Sequence, residues 1–342
     1  MEKLKIAING FGRTGRCFFR SAVCDNEFNE LAEVVAVNAG DPKILAHLCK
    51  YDSVYGVFNK TVKVEGDTII VDGNKIKVLN ERELTNLNWN DLGVKLVIES
   101  SGKFRRRKDA MKHIDAGVEK VLISAPGRDD MDATIVPSVN DELYDHNKHR
   151  IISLASCTTN CLAPVAKILN DNFGIEKGYM TTCHAYTMSQ RILDGSDRDL
   201  RRGRSAAINV VPTTTGAASA IGLVIPELEG KLDGMALRVP VPTGSIIDLA
   251  IILNKEVSKE EINDKFKEAS ESKYKGIVEY CEEPIVSTDV IGNPHSAIVD
   301  GLLTSIVGGK GKLAKVYAWY DNEWGYSTRL MDFTKIMAKK WH

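Results

Sequence analysis

The N-terminal stretch constrains the fold most, because a short apolar strand there runs directly into a glycine-rich turn. Residues 5–9 form the apolar run, Gly10, Gly12 and Gly15 follow in the turn and the start of a helix, and residues 33–37 form the next apolar strand. Glycines at this spacing let the backbone approach a phosphate, and the N-terminus of the helix attracts an anion. The pattern predicts a β-α-β unit that binds a dinucleotide, with a tight packing turn as the alternative.

The remaining pattern changes character halfway along the chain. In the first half, strand and helix signals alternate at residues 96–99, 107–116, 120–124 and 151–154. This alternation predicts a Rossmann-type, doubly wound α/β domain built on a parallel sheet. The second half has helical patterns at residues 161–172 and 260–270, and longer strand patterns at residues 179–184, 234–239, 245–253 and 316–320. Long strands with few intervening helices predict an α+β domain with a mainly antiparallel sheet.

A length of 342 residues favours two domains. We place the dinucleotide-binding domain at residues 1–155 and the second domain at residues 156–321. The last segment, residues 322–342, has helical spacing. We expect this helix to pack back on the first domain.

Composition argues against several classes of function. The formal net charge of -1 gives no general attraction to nucleic acids or anionic membranes. No apolar run approaches the roughly 20 residues of a membrane span. We expect no signal peptide, because the first residues lead directly into a strand. The seven scattered cysteines predict reduced thiols and a cytoplasmic protein.

Cys157 is the strongest candidate for a reactive group. It lies in Ser156-Cys157-Thr158-Thr159-Asn160-Cys161, just before the predicted helix. A helix N-terminus and a nearby imidazole each lower a thiol pKa, and His184 at the end of a predicted strand is the candidate base. A lone cysteine is more often a small buried apolar residue, but such polar neighbours do not suit a core. Cys161 is expected to be a buried thiol behind Cys157, and we predict no metal site.

The motifs together resemble those of the phosphorylating glyceraldehyde-3-phosphate dehydrogenases, nearly from end to end. The matching pieces are Ile8-Asn9-Gly10-Phe11-Gly12-Arg13, Lys50-Tyr51-Asp52-Ser53, Ala155-Ser156-Cys157-Thr158-Thr159-Asn160-Cys161, His184-Ala185-Tyr186-Thr187, Thr215-Gly216-Ala217-Ala218, Leu237-Arg238-Val239-Pro240, and Trp319-Tyr320-Asp321-Asn322-Glu323-Trp324-Gly325-Tyr326-Ser327. The resemblance implies reversible oxidation of D-glyceraldehyde 3-phosphate to 1,3-bisphosphoglycerate with NAD or NADP and inorganic phosphate. It also implies a homotetramer with dihedral symmetry.

The same resemblance implies a role for each site residue. Cys157 would attack the aldehyde and carry the thioester, and His184 would activate the thiol and stabilise the oxyanion. Arg238 and Thr187 resemble the site for the substrate's own phosphate. The site for the attacking phosphate is implied at Ser156, Thr158, Thr215 and Gly216. The implied cofactor contacts are Gly10, Gly12, Arg13, Thr14, Arg82, Ser124, Asn322 and Tyr326.

Departures from the family pattern concern the cofactor. The acid that ends the second strand in NAD-dependent members is replaced by Ala39, which removes one repulsion against a 2′-phosphate. Ser196 stands where strictly NAD-dependent relatives often carry proline, and would donate to that phosphate from a neighbouring subunit. Arg82 adds a positive charge. Together these residues resemble the branch that accepts NADP, whereas Thr14 replaces the usual isoleucine without an evident reason.

Three other functions compete with this hypothesis. Erythrose-4-phosphate dehydrogenase shares the fold and the Cys-His pair, but the pattern at residues 213–218 follows the glyceraldehyde-phosphate enzymes. A cysteine hydrolase would use the pair without a dinucleotide, which the glycine turn and Asn322 oppose. A non-enzymatic surface or RNA-binding role is an addition at most, because every position implied in catalysis is intact. The direction of flux, glycolytic or biosynthetic, is left open.

Overall fold

The computed structural model describes residues 2–38 and 40–341, which fall into two compact units. The first unit contains the described residues of Met1–Pro137, Asp141–Ala155 and Ser327–His342, and the second contains Ser138–Asn140 and Ser156–Tyr326. None of the helices within this described part is long and apolar enough to cross a membrane.

The first unit alternates strands and helices. Its strands are β1 (Leu4–Asn9), β2 (Ala32–Asn38), β3 (Tyr51–Asp52), β4 (Gly56–Val57), β5 (Val62–Glu65), β6 (Thr68–Val71), β7 (Asn74–Leu79), β8 (Leu96–Glu99), β9 (Lys120–Ile123), β10 (Ala133–Thr134) and β11 (Ile151–Ser153). Its helices are α1 (Arg13–Cys24), α2 (Asn26–Leu31), α3 (Pro42–Lys50) and α4 (Arg107–Asp115), with 3-10 turns at Leu84–Asn86, Trp89–Leu92 and Asp141–Leu143.

The main sheet of this unit has the strand order β10-β11-β9-β8-β1-β2-β7-β6-β5 among the described residues. Pairs from β10 through β7 are parallel, and the pairs of β6 with β5 and β7 are antiparallel. Strands β8, β9 and β11 are buried along their whole length, as expected for a parallel sheet covered on both faces. The predicted Rossmann-type domain is confirmed.

The second unit contains longer elements. Its helices are α5 (Cys157–Phe173), α6 (Ile221–Val224) and α7 (Lys259–Glu271), with a 3-10 turn at Pro226–Leu228. Its strands are β12 (Ile175–Ala185), β13 (Val211–Thr214), β14 (Leu232–Val239), β15 (Ser245–Ser258), β16 (Val278–Cys281), β17 (Ala297–Asp300), β18 (Ser305–Ile306) and β19 (Lys310–Tyr320). Helix α8 (Trp324–Lys339) ends the chain, and its residues from Ser327 onward belong to the first unit.

The sheet of the second unit has the order β13-β14-β12-β15-β19-β17-β16, with β18 paired to β19. Its pairs are antiparallel except β12 with β14 and β16 with β17. The predicted, mainly antiparallel second sheet is therefore confirmed. The parallel pair β12–β14 has a consequence for function, because its register places His184 directly opposite Arg238.

Two features differ from the sequence-based expectations. Helix α5 begins at Cys157 rather than at residue 161, because Ser156 caps it and the polar residues after Cys157 form its first turn. The last three strands of the main sheet, β7, β6 and the edge strand β5, were not predicted. Two short turns connect them, one of them at Asp72-Gly73, where both residues have positive φ (46° and 90°). This two-residue turn is a typical hairpin signal that the sequence does contain.

Candidate active site

Cys157 is the first residue of α5. The Ser156 hydroxyl caps the helix by accepting a hydrogen bond from the Thr159 amide at 3.0 Å. The residue before this cap, Ala155, is fully buried and has a φ of 52°, a left-handed conformation that is costly for a residue with a Cβ. Such strain persists where the surrounding structure enforces it, and it concentrates at functional sites. The chain therefore turns sharply and presents the thiol at the start of the helix.

His184 lies next to this thiol. It is the penultimate residue of β12, and its Nε2 is 3.4 Å from the Sγ of Cys157. The imidazole is almost fully buried, whereas Cys157 is half-buried and keeps part of its surface open. The two residues that the sequence proposed as nucleophile and base are thus brought into contact. This distance allows direct transfer of a proton between sulfur and nitrogen.

Burial governs the protonation of this pair. It raises the pKa of the Cys157 thiol, although the Arg238 guanidinium and hydrogen bonds to Thr158 act in the opposite direction. Burial, followed by the charge of Arg238, lowers the pKa of His184 to about 3. The expected lowering of the thiol pKa is therefore wrong for this structure, because the loss of hydration outweighs the favourable charges. Both shifts favour a neutral thiol beside a neutral imidazole.

Two neighbours compete for Nδ1 of His184. The carbonyl oxygen of Ala185 lies 2.7 Å away and can only accept a proton, whereas Nη1 of Arg238 lies 2.6 Å away and can only donate one. Arg238 also donates to the Ala185 carbonyl at 3.2 Å. Only the tautomer with hydrogen on Nδ1 leaves the lone pair of Nε2 facing the thiol. The Ala185 carbonyl therefore favours the basic form of the imidazole, and Arg238 opposes it.

A chain of buried hydroxyl groups adjoins the nucleophile. The Oγ1 of Thr158 lies 2.9 Å from the phenolic oxygen of Tyr320, which in turn lies 2.9 Å from the Oγ1 of Thr182. The Tyr320 ring also packs edge-on against the His184 imidazole, with 5.9 Å between ring centroids. Tyr320 and Thr182 were not singled out from the sequence. Tyr320 lies inside the matching piece at residues 319–327, but its contact with Thr182 is not visible locally, because the two residues come from β19 and β12, on either side of β15.

The other residues proposed for phosphate binding are less tightly connected. Thr187 lies just after β12, where its Oγ1 is 2.8 Å from the Oγ of Ser189. Thr215 follows β13, and its hydroxyl accepts from the Ala217 amide at 3.2 Å. Gly216 is exposed. Within the described residues, no hydrogen bond joins Thr187, Thr215 or Gly216 to Cys157 or His184.

Three residues proposed for cofactor binding, Ser196, Asn322 and Tyr326, also belong to the second unit. The carboxamide oxygen of Asn322 accepts from the hydroxyls of Ser245 at 2.9 Å and Thr243 at 3.2 Å, which fixes its orientation. Tyr326 is nearly buried, and burial raises the pKa of its phenol well above the usual range. Ser196 lies in an irregular segment, where its carbonyl accepts from Arg191 at 3.1 Å. Their proposed contacts remain predictions.

The first unit contains a cavity of about 630 Å³ beside the glycine turn. It is lined by Asn9, Gly10, Phe11, Gly12, Asn38, Asn80, Glu81, Arg82, Leu84, Ser100, Ser101, Lys103 and Phe104. This volume is within the range of small-molecule and cofactor sites. Ser100, Ser101 and Lys103 were missed from the sequence, although they follow β8, next to β1, where ligands bind in open α/β sheets.

The glycine turn is shaped for close approach to a ligand. Gly10 has a φ of 95°, and a Cβ there would lie 2.5 Å from the Ser101 backbone nitrogen. Gly12 caps α1 without a side-chain hydrogen bond, and no acid occupies the first turn of that helix. The N-terminus of α1 is therefore suited to an anion. The residues present fit the pyrophosphate of a dinucleotide.

The other predicted cofactor contacts of the first unit are Arg13 and Thr14 at the start of α1 and Ser124 just after β9. Arg13 pairs with Asp52. The Thr14 carbonyl accepts from Ser327, and the Ser124 hydroxyl donates to the Glu99 carbonyl at 3.1 Å. These three are not part of the cavity lining. Ala39, the predicted determinant of cofactor choice, lies outside the described residues.

A buried carboxylate, Glu99, is hydrogen-bonded to two of the residues that line this cavity. Glu99 is 1% exposed and accepts from the side chains of Asn9 and Ser101, each at 2.5 Å. Its third side-chain neighbour is Nε2 of His113 at 3.1 Å, and the Nδ1 of that ring accepts from the Trp89 indole at 3.3 Å. Because the indole only donates, Nε2 of His113 carries hydrogen and donates to Glu99. The sequence assigned His113 a structural role, and its contacts agree.

Residues 2–38 and 40–341 contain no group of three or more His, Cys, Asp or Glu side chains arranged to hold a metal ion.

Comparison with known proteins agrees with this geometry. Residues 4–107 match the family "Glyceraldehyde 3-phosphate dehydrogenase, NAD binding domain", and residues 156–322 match "Glyceraldehyde 3-phosphate dehydrogenase, C-terminal domain". The chain is 54% identical over 339 residues to glyceraldehyde-3-phosphate dehydrogenase of Streptomyces coelicolor, and 52% identical over 338 residues to that of Geobacillus stearothermophilus. Each alignment covers 98% of this chain and 99% of the relative. The chain therefore belongs to the glyceraldehyde-3-phosphate dehydrogenase family.

Proposed function

We propose that this protein is a phosphorylating glyceraldehyde-3-phosphate dehydrogenase, which oxidises D-glyceraldehyde 3-phosphate to 1,3-bisphosphoglycerate. The observation that carries the proposal is the 3.4 Å contact between Sγ of Cys157 and Nε2 of His184, at the start of a helix in a chain of this family. A thiol with an adjacent base can form and break a thioester, which links aldehyde oxidation to acyl transfer.

The first step is attack of Sγ of Cys157 on the aldehyde carbon. The C–S bond forms as Nε2 of His184 takes the thiol proton, because both groups are neutral before substrate binds. The protonated imidazole then stabilises the oxyanion and returns its proton, which gives a neutral hemithioacetal. The Ala185 carbonyl supports this step by accepting from Nδ1.

When bound, the dinucleotide supplies a nicotinamide that accepts the hydride. Gly10, Gly12 and the first amides of α1 would hold its pyrophosphate, and Asn322 would fix the carboxamide. As the hydride leaves the hemithioacetal, its hydroxyl proton passes to His184, and a thioester remains on Cys157. Phosphate then attacks the thioester carbon and loses its proton to solvent, the C–S bond breaks, and the thiolate leaves while the imidazolium returns a proton to it.

The two phosphate groups call for different side chains. Arg238 and Thr187 are proposed to hold the phosphate of the substrate, since a guanidinium binds phosphate tightly and in a fixed direction. The site for the attacking phosphate is proposed at Ser156, Thr158, Thr215 and Gly216. Hydroxyl and amide donors bind an anion that must also react.

We further propose that the enzyme accepts NADP as well as NAD. The exposed Arg82 and Lys103 line the cavity and favour a 2′-phosphate, and Ala39 offers no carboxylate against it. Glu81 is the acid in the cavity wall, but its carboxylate is turned to accept from the Glu83 amide at 2.9 Å. Ser196 would add a donor from a neighbouring subunit.

Initial rates of nicotinamide reduction with glyceraldehyde 3-phosphate and inorganic phosphate test both proposals, with NAD and NADP run side by side. Efficient turnover with NADP supports the cofactor proposal. Turnover with NAD alone leaves the enzyme proposal intact and refutes the cofactor proposal. A clear preference for erythrose 4-phosphate, or a rate that does not depend on inorganic phosphate, would contradict the proposed reaction.

The variant Ala39→Asp tests the strand-end argument, with the isosteric neutral variant Ala39→Asn as its control. A carboxylate near the 2′-phosphate should raise the KM for NADP about tenfold or more. Two like charges about 4 Å apart repel each other by about 1–4 kcal/mol. The asparagine variant should change it far less. An unchanged ratio of NAD to NADP use in Ala39→Asp would refute this role for position 39.

A homotetramer is proposed as the working form. Large apolar side chains are strongly exposed in the irregular segment after β12, and they include Met188 (89%), Leu200 (85%) and Ile208 (80%). A concentration of such exposed groups is typical of an interface, here with further copies of this chain. Size-exclusion chromatography with light scattering tests the assembly, and a stable monomer would contradict it. The seven free thiols support the predicted cytoplasmic location.

A further inference from the structure

Behind the first turn of α5, three hydroxyl groups form a continuous hydrogen-bonded chain. Thr158, Tyr320 and Thr182 are 4%, 1% and 0% exposed, and the two links between them measure 2.9 Å each. The chain ends beside the nucleophile, because the Oγ1 of Thr158 is also 4.0 Å from the Sγ of Cys157. No step of the proposed mechanism uses Tyr320 or Thr182.

The direction of the hydrogen bonds follows from the number of available acceptors. In the described part of the chain, the phenolic oxygen of Tyr320 is the only hydrogen-bond partner of the Thr182 hydroxyl. Thr182 must therefore donate to Tyr320, since a buried hydroxyl proton without an acceptor is unfavourable. Tyr320 then donates its own proton to the Oγ1 of Thr158. Burial and the nearby thiols raise the pKa of Tyr320 well above its usual range, so the phenol keeps this proton.

This order leaves the Thr158 hydroxyl proton without an acceptor among the three hydroxyl groups. With its oxygen accepting from Tyr320, the Thr158 hydroxyl can donate only away from the tyrosine, where its remaining neighbour is Sγ of Cys157. A hydroxyl that already accepts a hydrogen bond is also a stronger donor, because hydrogen bonds in a chain polarise one another. Such an oriented donor suits an anion that approaches the sulfur.

We propose that Tyr320 is a positioning residue, which fixes the Thr158 hydroxyl as a donor to the inorganic phosphate that attacks the thioester. The inference rests on the proposed function, because it takes Thr158 to contact this phosphate. It goes beyond that function by assigning the orientation of the contact to a buried phenol that does not itself touch the reacting atoms. Thr182 donates to the phenolic oxygen from its other side, and Thr158 is the acceptor that is left for the phenolic proton.

The variant Tyr320→Phe tests the inference in the full-length enzyme, because it removes one oxygen and keeps the ring against His184. We expect the KM for inorganic phosphate to rise about five- to tenfold, at saturating aldehyde and dinucleotide. The burst of reduced nicotinamide measured without phosphate reports thioester formation alone, and it should stay within twofold in rate and amplitude. An unchanged phosphate KM, or a burst that falls in parallel with the phosphate effect, overturns the inference.

Thr182→Val provides a matched control, since it also removes one hydroxyl from the same buried chain. Tyr320 can still donate to Thr158 in this variant, so the phosphate KM should stay within twofold of the unmodified enzyme. A general disturbance of the site would raise it as much as Tyr320→Phe does, and that result would overturn the inference.

Thr158→Val separates this inference from the proposed function. We expect it to raise the phosphate KM, and adding Tyr320→Phe should then have no further effect, because Tyr320 acts through Thr158. If Thr158→Val leaves the phosphate KM unchanged, the proposed phosphate contact of Thr158 fails, and the inference fails with it. If Thr158→Val raises the KM and the second substitution raises it again, only the role of Tyr320 is overturned.

Discussion

Replacing Arg238 with glutamine should increase the reactivity of Cys157 in the absence of substrate. Nη1 of Arg238 is 2.6 Å from Nδ1 of His184, so the guanidinium charge lies about 4 Å from that of a protonated imidazole. At an effective dielectric constant of about 20, it opposes the imidazolium by about 4 kcal/mol. The sulfur lies beyond the ring at roughly 8 Å, where the same charge favours the thiolate by about 2 kcal/mol. The closer interaction wins.

The difference of about 2 kcal/mol opposes the thiolate–imidazolium pair, which corresponds to a factor of about 30 in its population. Alkylation by iodoacetamide at pH 7 should therefore be about 10 to 30 times faster in Arg238→Gln. The signs agree with the pKa of His184, which the charge of Arg238 helps to lower. Arg238→Lys keeps a positive charge and should resemble the unmodified protein.

The full pH profile of alkylation extends this test. Removing Arg238 raises the folded pKa of His184, so the imidazolium and its thiolate partner should persist to higher pH than in the unmodified protein. Equal or slower alkylation in Arg238→Gln would show that the guanidinium stabilises the thiolate at least as strongly as it opposes the imidazolium. That result would refute the argument from distance.

Three further variants test other contacts. His184→Asn should lower kcat about 10²- to 10⁴-fold by removing the base, as measured by steady-state kinetics; a smaller loss would refute its role. Gly10→Ala should weaken NAD binding at least tenfold in a calorimetric titration, since its Cβ would meet Ser101. Glu99→Ala should lower the free energy of unfolding in urea by about 3–5 kcal/mol, because it leaves His113 and other buried donors unpaired. Near-normal NAD binding by Gly10→Ala, or near-normal stability of Glu99→Ala, would contradict the packing described for that residue.

The sequence predicts local features of this fold well. Strand β1, helix α1 and strand β2 follow from apolar periodicity and from the glycines between β1 and α1. Both signals depend only on residues that are close together in the sequence. The contact between Cys157 and His184 was expected from two short motifs. The two-residue turn at Asp72-Gly73 was recognisable from its Asp-Gly pair, and only its interpretation was missing.

Features that depend on burial or on distant strands could not be predicted in this way. The pKa of Cys157 rises because the folded chain removes water from the thiol, which no motif encodes. Tyr320 reaches Thr182 across β15, so their contact follows only from the strand order. The Ala185 carbonyl and Arg238 compete for Nδ1 of His184 because the register of β12 and β14 brings Arg238 beside the imidazole.

This register also limits how the protein can change its length in evolution. His184 and Arg238 are directly paired, and neighbouring residues of a strand point to opposite faces of the sheet. A single-residue insertion or deletion within β12 or β14, between its anchored end and this pair, would turn one of the two side chains away from the other. Homologues should therefore vary in length in the segment between β12 and β13 and remain constant in length within these two strands.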